Sequence, residues 1–155
     1  MESSESDRYQ NNLVHSEETS ACRSPANKAE PNKTLLVVDD EPMVRNLEVR
    51  FLRHQGYTVL QADGAAEALR LATTTASIHL LITDLLMPEV DGIELARRFR
   101  AVHPKTPVLV VSGSLALLAD RSDVDLDRID FLAKPFQLSE LLHKVHSLLD
   151  GTTLP

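Results

Sequence analysis

Cysteine is almost missing from this sequence: 155 residues contain one, Cys22. That excludes an internal disulfide framework and any Cys-x-x-Cys redox or zinc motif. A single thiol suits a reducing compartment. Basic charge is also in deficit, with 16 Lys and Arg against 23 Asp and Glu and a net charge of -7. A duplex-binding module needs a basic face, and so short an acidic chain has no spare domain to carry one. Long apolar runs are absent as well: no stretch approaches the roughly 20 residues that span a bilayer. The N-terminal MESSESDRYQNN is polar and lacks the apolar centre of a secretory signal. Together these absences predict a cytoplasmic chain without membrane insertion or direct nucleic-acid contact. What remains, 43% hydrophobic and 25% charged, is the composition of one globular domain.

The composition changes near Lys33. Residues 1–33 are rich in Ser, Glu and Asn, with apolar side chains scattered and aperiodic. Such a segment cannot bury enough surface to offset a backbone ordering entropy of about 1–2 kcal/mol per residue. A disordered polar tail is expected over 1–33, a folded domain over 34–150 and a frayed end over 151–155. Within the domain, short apolar runs at 34–38 (TLLVV), 57–61 (YTVLQ), 79–83 (HLLIT), 107–111 (PVLVV) and 129–133 read as buried parallel strands. Helical spacing follows at 43–54 (Val44, Leu47, Val49, Phe51 and Leu52), and again at 65–73, 93–102 and 138–149. Residues 114–128 are the least legible, with a helical LALLA leading into DRSDVDLDR. Alternating strands and helices imply right-handed crossovers and an α/β doubly wound sheet with helices on both faces.

Chemistry collects where strands end. Asp39 and Asp40 follow the first run, Asp84 the third, Ser112 the fourth and Lys134 the fifth. In open α/β sheets, ligands bind outside the carboxyl ends of the strands, where strand order reverses. Each residue alone has a bland explanation: Asp40 as a helix cap, Asp84 as an Asx-turn, Ser112 as a loop hydroxyl, Lys134 as a surface lysine. Independent caps have no reason to recur after four strands in this combination. Three close carboxylates repel by a few kcal/mol per pair at an effective dielectric of about 20. Either protonation or a cation must relieve that, and oxygen-only ligation suits Mg2+. A carboxylate beside such a metal and an ammonium is arranged to accept a phosphoryl group as an acyl phosphate.

The motifs LLVVDDEP, LLITDLLMPEVDGIEL, PVLVVSG and FLAKPF, in this order, resemble the receiver domain of two-component response regulators. The resemblance covers about 34–149. It implies a flavodoxin-like five-stranded sheet of order 2-1-3-4-5, with Asp84 as phosphoacceptor and Asp39 and Asp40 in an acidic Mg2+ pocket. The backbone carbonyl of Leu86 would complete the metal shell. Ser112 and Phe131 match the switch hydroxyl and switch aromatic, Lys134 the phosphate-binding lysine, and the Lys134–Pro135 bond is expected to be cis. Where receivers commonly carry Gly-Ala before the fifth strand, this chain has Asp127-Arg128-Ile129-Asp130. His143 and His146 on the last helix are expected to lie on a solvated face.

The implied function is that of a stand-alone receiver, a phosphorylation-controlled interaction switch. Its partners would be a sensor histidine kinase or histidine phosphotransfer protein, and a downstream protein met through residues 114–128, the fifth strand and the last helix. The chemistry is self-directed, phosphoryl acceptance and its loss, rather than enzymatic turnover. A phosphatase of the haloacid-dehalogenase kind would need a second carboxylate two residues after the nucleophile, and Asp84-Leu85-Leu86 lacks it. A phosphorylation-independent scaffold would not need the intact set of Asp39, Asp40, Asp84, Ser112 and Lys134.

Overall fold

A computed structural model of the chain describes residues 32–114, 116 and 128–151. Among them are five strands: β1 Thr34–Val38, β2 Thr58–Ala62, β3 Leu80–Asp84, β4 Val108–Ser112 and β5 Ile129–Ala133. Four helices alternate with them: α1 Pro42–His54, α2 Ala65–Thr74, α3 Gly92–Val102 and α4 Leu138–Leu149. The strands pair in parallel in the order β2-β1-β3-β4-β5, as the receiver resemblance implied. Nearly all of the expected polar tail, most of the segment 114–128 and residues 152–155 lie outside the described residues.

The two periodicities explain the layers. Successive side chains of a strand point to opposite faces, so Leu36 and Val38 join α2 and α3 in one core, with Ala68, Ala72, Ala96 and Phe99. Leu35 and Val37 face the other way and pack on α1 and α4 through Val49, Leu52, Leu141 and Val145. The small residues of α2 let that helix lie close to the sheet. After β1 the chain builds β2 on one side, then β3 on the other. Strand order therefore reverses between β1 and β3, and their carboxyl ends border a crevice.

Three strands sit one residue later than their apolar runs suggest. Tyr57 belongs to the turn after Gly56 (φ 102°), and its N–H donates to the Leu52 carbonyl. Asp84 and Ser112 still occupy ladder positions, opposite Val111 and Ala133. The polar residues are the last rungs of their strands rather than the loops after them.

On α1 the expected facing is partly reversed. Leu47, which completed the apolar spacing, is 56% exposed, whereas Glu48 is 3% exposed. The helix is set by Val49 and Leu52 docking on the sheet, and that orientation carries position 48 inward with them. Asp40 is not the cap of α1: Glu41 is the N-cap residue and has no side-chain cap bond. The solvated face expected of the two histidines holds for His143, which is exposed, but not for His146. Its ring is half-buried and tilts against Tyr57 at 6.3 Å between centroids.

Candidate functional site

At the carboxyl end of β1 the chain turns sharply. The Asp39 carboxylate accepts the Glu41 N–H at 2.7 Å, which starts the turn into α1. One helical turn later the Arg45 guanidinium donates to the Asp39 carbonyl at 2.6 Å. These two bonds hold Asp39 by side chain and main chain together. Its carboxylate is thereby directed into the crevice and is almost fully buried.

Lys134 reaches the same place from the loop after β5. Its Nζ lies 3.2 Å from Asp84 Oδ1 and 3.5 Å from Asp39 Oδ2, so one ammonium bridges two carboxylates from different strands. The Lys134–Pro135 bond is cis, as expected. Burial works against the charged lysine, but Asp84 and Asp39 outweigh it, and its pKa stands above the ordinary value. Burial also raises that of Asp84, and the neighbouring Lys134 charge only partly offsets the effect.

The other predicted residues surround this pair. Asp40 is exposed at the rim. Leu86 is 60% exposed. Ser112 is buried, yet its hydroxyl is turned to its own loop, donating to the Ser114 carbonyl and accepting the Ser114 N–H at 3.2 and 3.1 Å. Phe131 is half-buried against the α2–α3 core, and its N–H donates to Asp130 Oδ1. Asp130 Oδ2 in turn pairs with Lys144 of α4 at 2.7 Å.

Among the described residues no three His, Cys, Asp or Glu side chains converge closely enough to cage a metal ion. The donors present are carboxylate oxygens at the mouth of a crevice. Mg2+ accepts one or two carboxylates and keeps several waters, so the site fits that ion better than one needing a full protein cage.

Sequence reasoning passed over three residues here. Arg45 works through a backbone carbonyl, which composition does not reveal. A Cβ on Gly92 would overlap the Asp84 carbonyl oxygen and lie 3.1 Å from Leu85 Cα, so only glycine lets α3 start this close to the candidate phosphoacceptor. Glu48 is buried, and its Oε1 has no hydrogen-bond partner among the described residues. An acidic residue beside the core-facing Val49 was the available signal.

Residues 35–146 match the family described as response regulator receiver domain. Over 120 residues the chain is 36% identical to response regulator MprA of Mycobacterium ulcerans, covering 77% of this chain and 51% of that protein. The chain therefore spans about half the length of such curated relatives. The receiver domain of the hybrid histidine kinase CckA is similar in structure, with a TM-score of 0.64 and 34% identity over 75% of this chain and 98% of that one. Response regulator TrrA from Thermotoga maritima, solved in complex with Mg2+-BeF, has a TM-score of 0.66 and 30% identity, covering 76% of this chain and all (100%) of its own.

Proposed function

The chain belongs to the response regulator receiver domain family, and on that premise we propose that Asp84 accepts a phosphoryl group from a phosphohistidine donor. The observation that carries this reading is the shared ammonium: Lys134 lies within 3.5 Å of both Asp39 and Asp84. An Asp84 oxygen attacks phosphorus, the phosphorus–nitrogen bond breaks, and the imidazole leaves with its electron pair. Lys134 already touches the acceptor and can follow the incoming oxygens, neutralising charge where it develops. Ser112 has to give up its bonds to Ser114 before its hydroxyl can reach a phosphoryl oxygen. Asp39, Asp40, Asp84 and the Leu86 carbonyl would hold Mg2+, which when bound supplies positive charge against the phosphoryl oxygens.

The donor fits a sensor histidine kinase or a phosphotransfer protein, and the likeness to a receiver carried by a hybrid kinase supports that class. The output is read as protein interaction through β5, α4 and the segment 114–128, without enzymatic turnover, in the cytoplasm. No helix among the described residues is long and apolar enough to cross a membrane. The receiver itself is assigned to 34–150, between a polar segment 1–33 and the end 151–155, and the family match over 35–146 supports those bounds. Incubation with acetyl phosphate and Mg2+, followed by intact-mass measurement, tests the assignment. The protein should gain one phosphoryl group, and D84N or excess chelator should prevent it. Undiminished labelling of D84N overturns Asp84 as the acceptor, and turnover of added phosphomonoesters would favour a phosphatase.

A further inference from the structure

The amino ends of the strands, at the far end of the sheet from Asp84, border a cavity of about 500 Å3. Five-residue strands put it roughly 17 Å from the acidic crevice. Basic groups reach it from just before four strands: Lys33 before β1, His79 before β3, Lys105 before β4 and Arg128 before β5. None of the described residues that line it is an aspartate or glutamate, although the chain carries a net charge of -7.

Main-chain bonds set two of these groups in place. The His79 N–H donates to the Thr34 carbonyl at 2.8 Å, and its Nδ1 accepts the Thr34 N–H at 3.0 Å. A neutral ring that accepts at Nδ1 keeps its proton on Nε2, so His79 brings an N–H donor. Arg128 stands in the stretch where receivers commonly carry Gly-Ala. Its φ of 62° is a left-handed conformation uncommon in residues with a side chain. The Arg128 carbonyl accepts the Val108 N–H at 3.0 Å, and its guanidinium donates to the Lys105 carbonyl at 3.1 Å. An arginine here thus carries its charge across to the amino end of β4, beside Lys105.

We propose that this cavity binds a compact organic phosphate, with the phosphate against Lys33, Lys105, Arg128 and His79 and the apolar part against Pro107, Leu148 and Leu149. Three cations and a neutral donor suit a phosphate dianion, which accepts several charge-assisted hydrogen bonds at once. The C-terminal end of α4 also borders the cavity and repels an anion. About half a charge there does not reverse three full ones. Asp150, the residue after Leu149, is exposed and does not line the cavity. The volume falls within the usual range for small-ligand sites and is too small for a folded partner. The apolar wall is aliphatic, without a Phe, Tyr or Trp on which a nucleobase could stack.

Titration of the whole chain with phenyl phosphate, followed by backbone NMR without Mg2+ and in about 0.1 M NaCl, tests the site. Amides at Thr34, His79, Leu80, Arg128, Ile129 and Leu148–Gly151 should shift and saturate. A Kd on the order of 1 mM is the class expected of so small a ligand. Inorganic phosphate should shift the same amides several-fold more weakly, because it leaves the aliphatic wall uncovered. K105E should weaken phenyl phosphate on the order of tenfold, the effect of reversing one charge several ångströms away. Lys105 is exposed and only its carbonyl serves Arg128, so this variant should melt like the wild type. D84N should bind phenyl phosphate unchanged, since the cavity is independent of phosphoryl acceptance. Shifts confined to Asp39, Asp84 and Lys134, unsaturable shifts, or wild-type affinity in K105E overturn the inference. Inorganic phosphate that binds as tightly as phenyl phosphate overturns the ligand class.

Discussion

Gly92→Ala adds one methyl group at the point where α3 meets the end of β3, at Asp84. The new Cβ would overlap the Asp84 carbonyl oxygen and stand 3.1 Å from the carbonyl carbon and from Leu85 Cα. These are main-chain atoms, so no side-chain rotation relieves the clash. The start of α3 and the end of β3 must separate by roughly 1 Å before ordinary contact distances return. That motion strains the 2.9 Å bond from the Gly92 N–H to the Leu85 carbonyl. It also disturbs the Asp91 cap, whose carboxylate accepts the Ile93 and Glu94 N–H groups at 3.0 and 2.9 Å. Overpacking of this kind costs about 1–3 kcal/mol. Each kcal/mol lowers the melting temperature by about 4 °C in a domain of this size. The chemical effect should be larger than the thermal one. A displacement near 1 Å at a reacting carboxylate can slow a transfer on the order of a hundredfold. Thermal melts and the rate of phosphorylation by acetyl phosphate, measured on the same preparation, give both numbers. A variant that melts like the wild type and phosphorylates at its rate would refute the close-approach argument.

Glu48 predicts an unusual slope of stability with pH. Its folded pKa of about 7 lies above the ordinary 4.5, so between those values the folded state holds the extra proton. Stability is then full below about 4.5, falls as pH rises towards 7, and by pH 8 is lower by about 3 kcal/mol. In urea melts at pH 5 and pH 8, Glu48→Leu should flatten that slope, and equal slopes in both proteins would contradict it. In receivers the side chains two residues after the phosphoacceptor and two after the switch hydroxyl overhang the path of an incoming water, and in this sequence those positions hold Leu86 and Ser114. Leu86 can neither orient nor activate water, so the phosphorylated state should be long-lived, and L86N combined with S114E should shorten its half-life. Decay no faster than wild type would show that water access is not the control. Lys134→Met leaves Asp39 and Asp84 facing each other without their shared ammonium. It should lose about 1–3 kcal/mol at neutral pH and regain stability in acid as the carboxyls protonate. A pH-independent loss would mean that the lysine stem, rather than its charge, is what matters.

The strands were legible because continuous apolar runs of five residues, bounded by polar ones, have few other uses in a chain that alternates with helices. Their ends were less so. Asp84 and Ser112 look like interruptions in a composition scan, yet ladder hydrogen bonding, indifferent to side-chain polarity, keeps both in the sheet. Asp39, Asp84 and Lys134 could be found because charged groups at the ends of buried strands are conspicuous. Glu48 was signalled only weakly, by an acid beside Val49, since helical spacing leaves adjacent positions at the edge of an apolar face equally eligible. Docking of Val49 and Leu52 decides between them. Arg45 and Gly92 act on backbone atoms, and a one-dimensional pattern carries no record of backbone proximity. The turned-away hydroxyl of Ser112 belongs to the same class, since it depends on a bond to the Ser114 main chain.

The lysine bridge also has a consequence for the order of events during synthesis. Asp39 and Lys134 are separated by 95 positions along the chain, and Asp84 lies between them. A ribosome exposes Asp84 well before it delivers the lysine that pairs with it. A chain that has emerged only through β4 therefore displays two acids, with no ammonium between them and no edge strand beside β4. The charge balance of the pocket is thus completed only by the last strand and its following loop, which deliver Lys134 to Asp39 and Asp84.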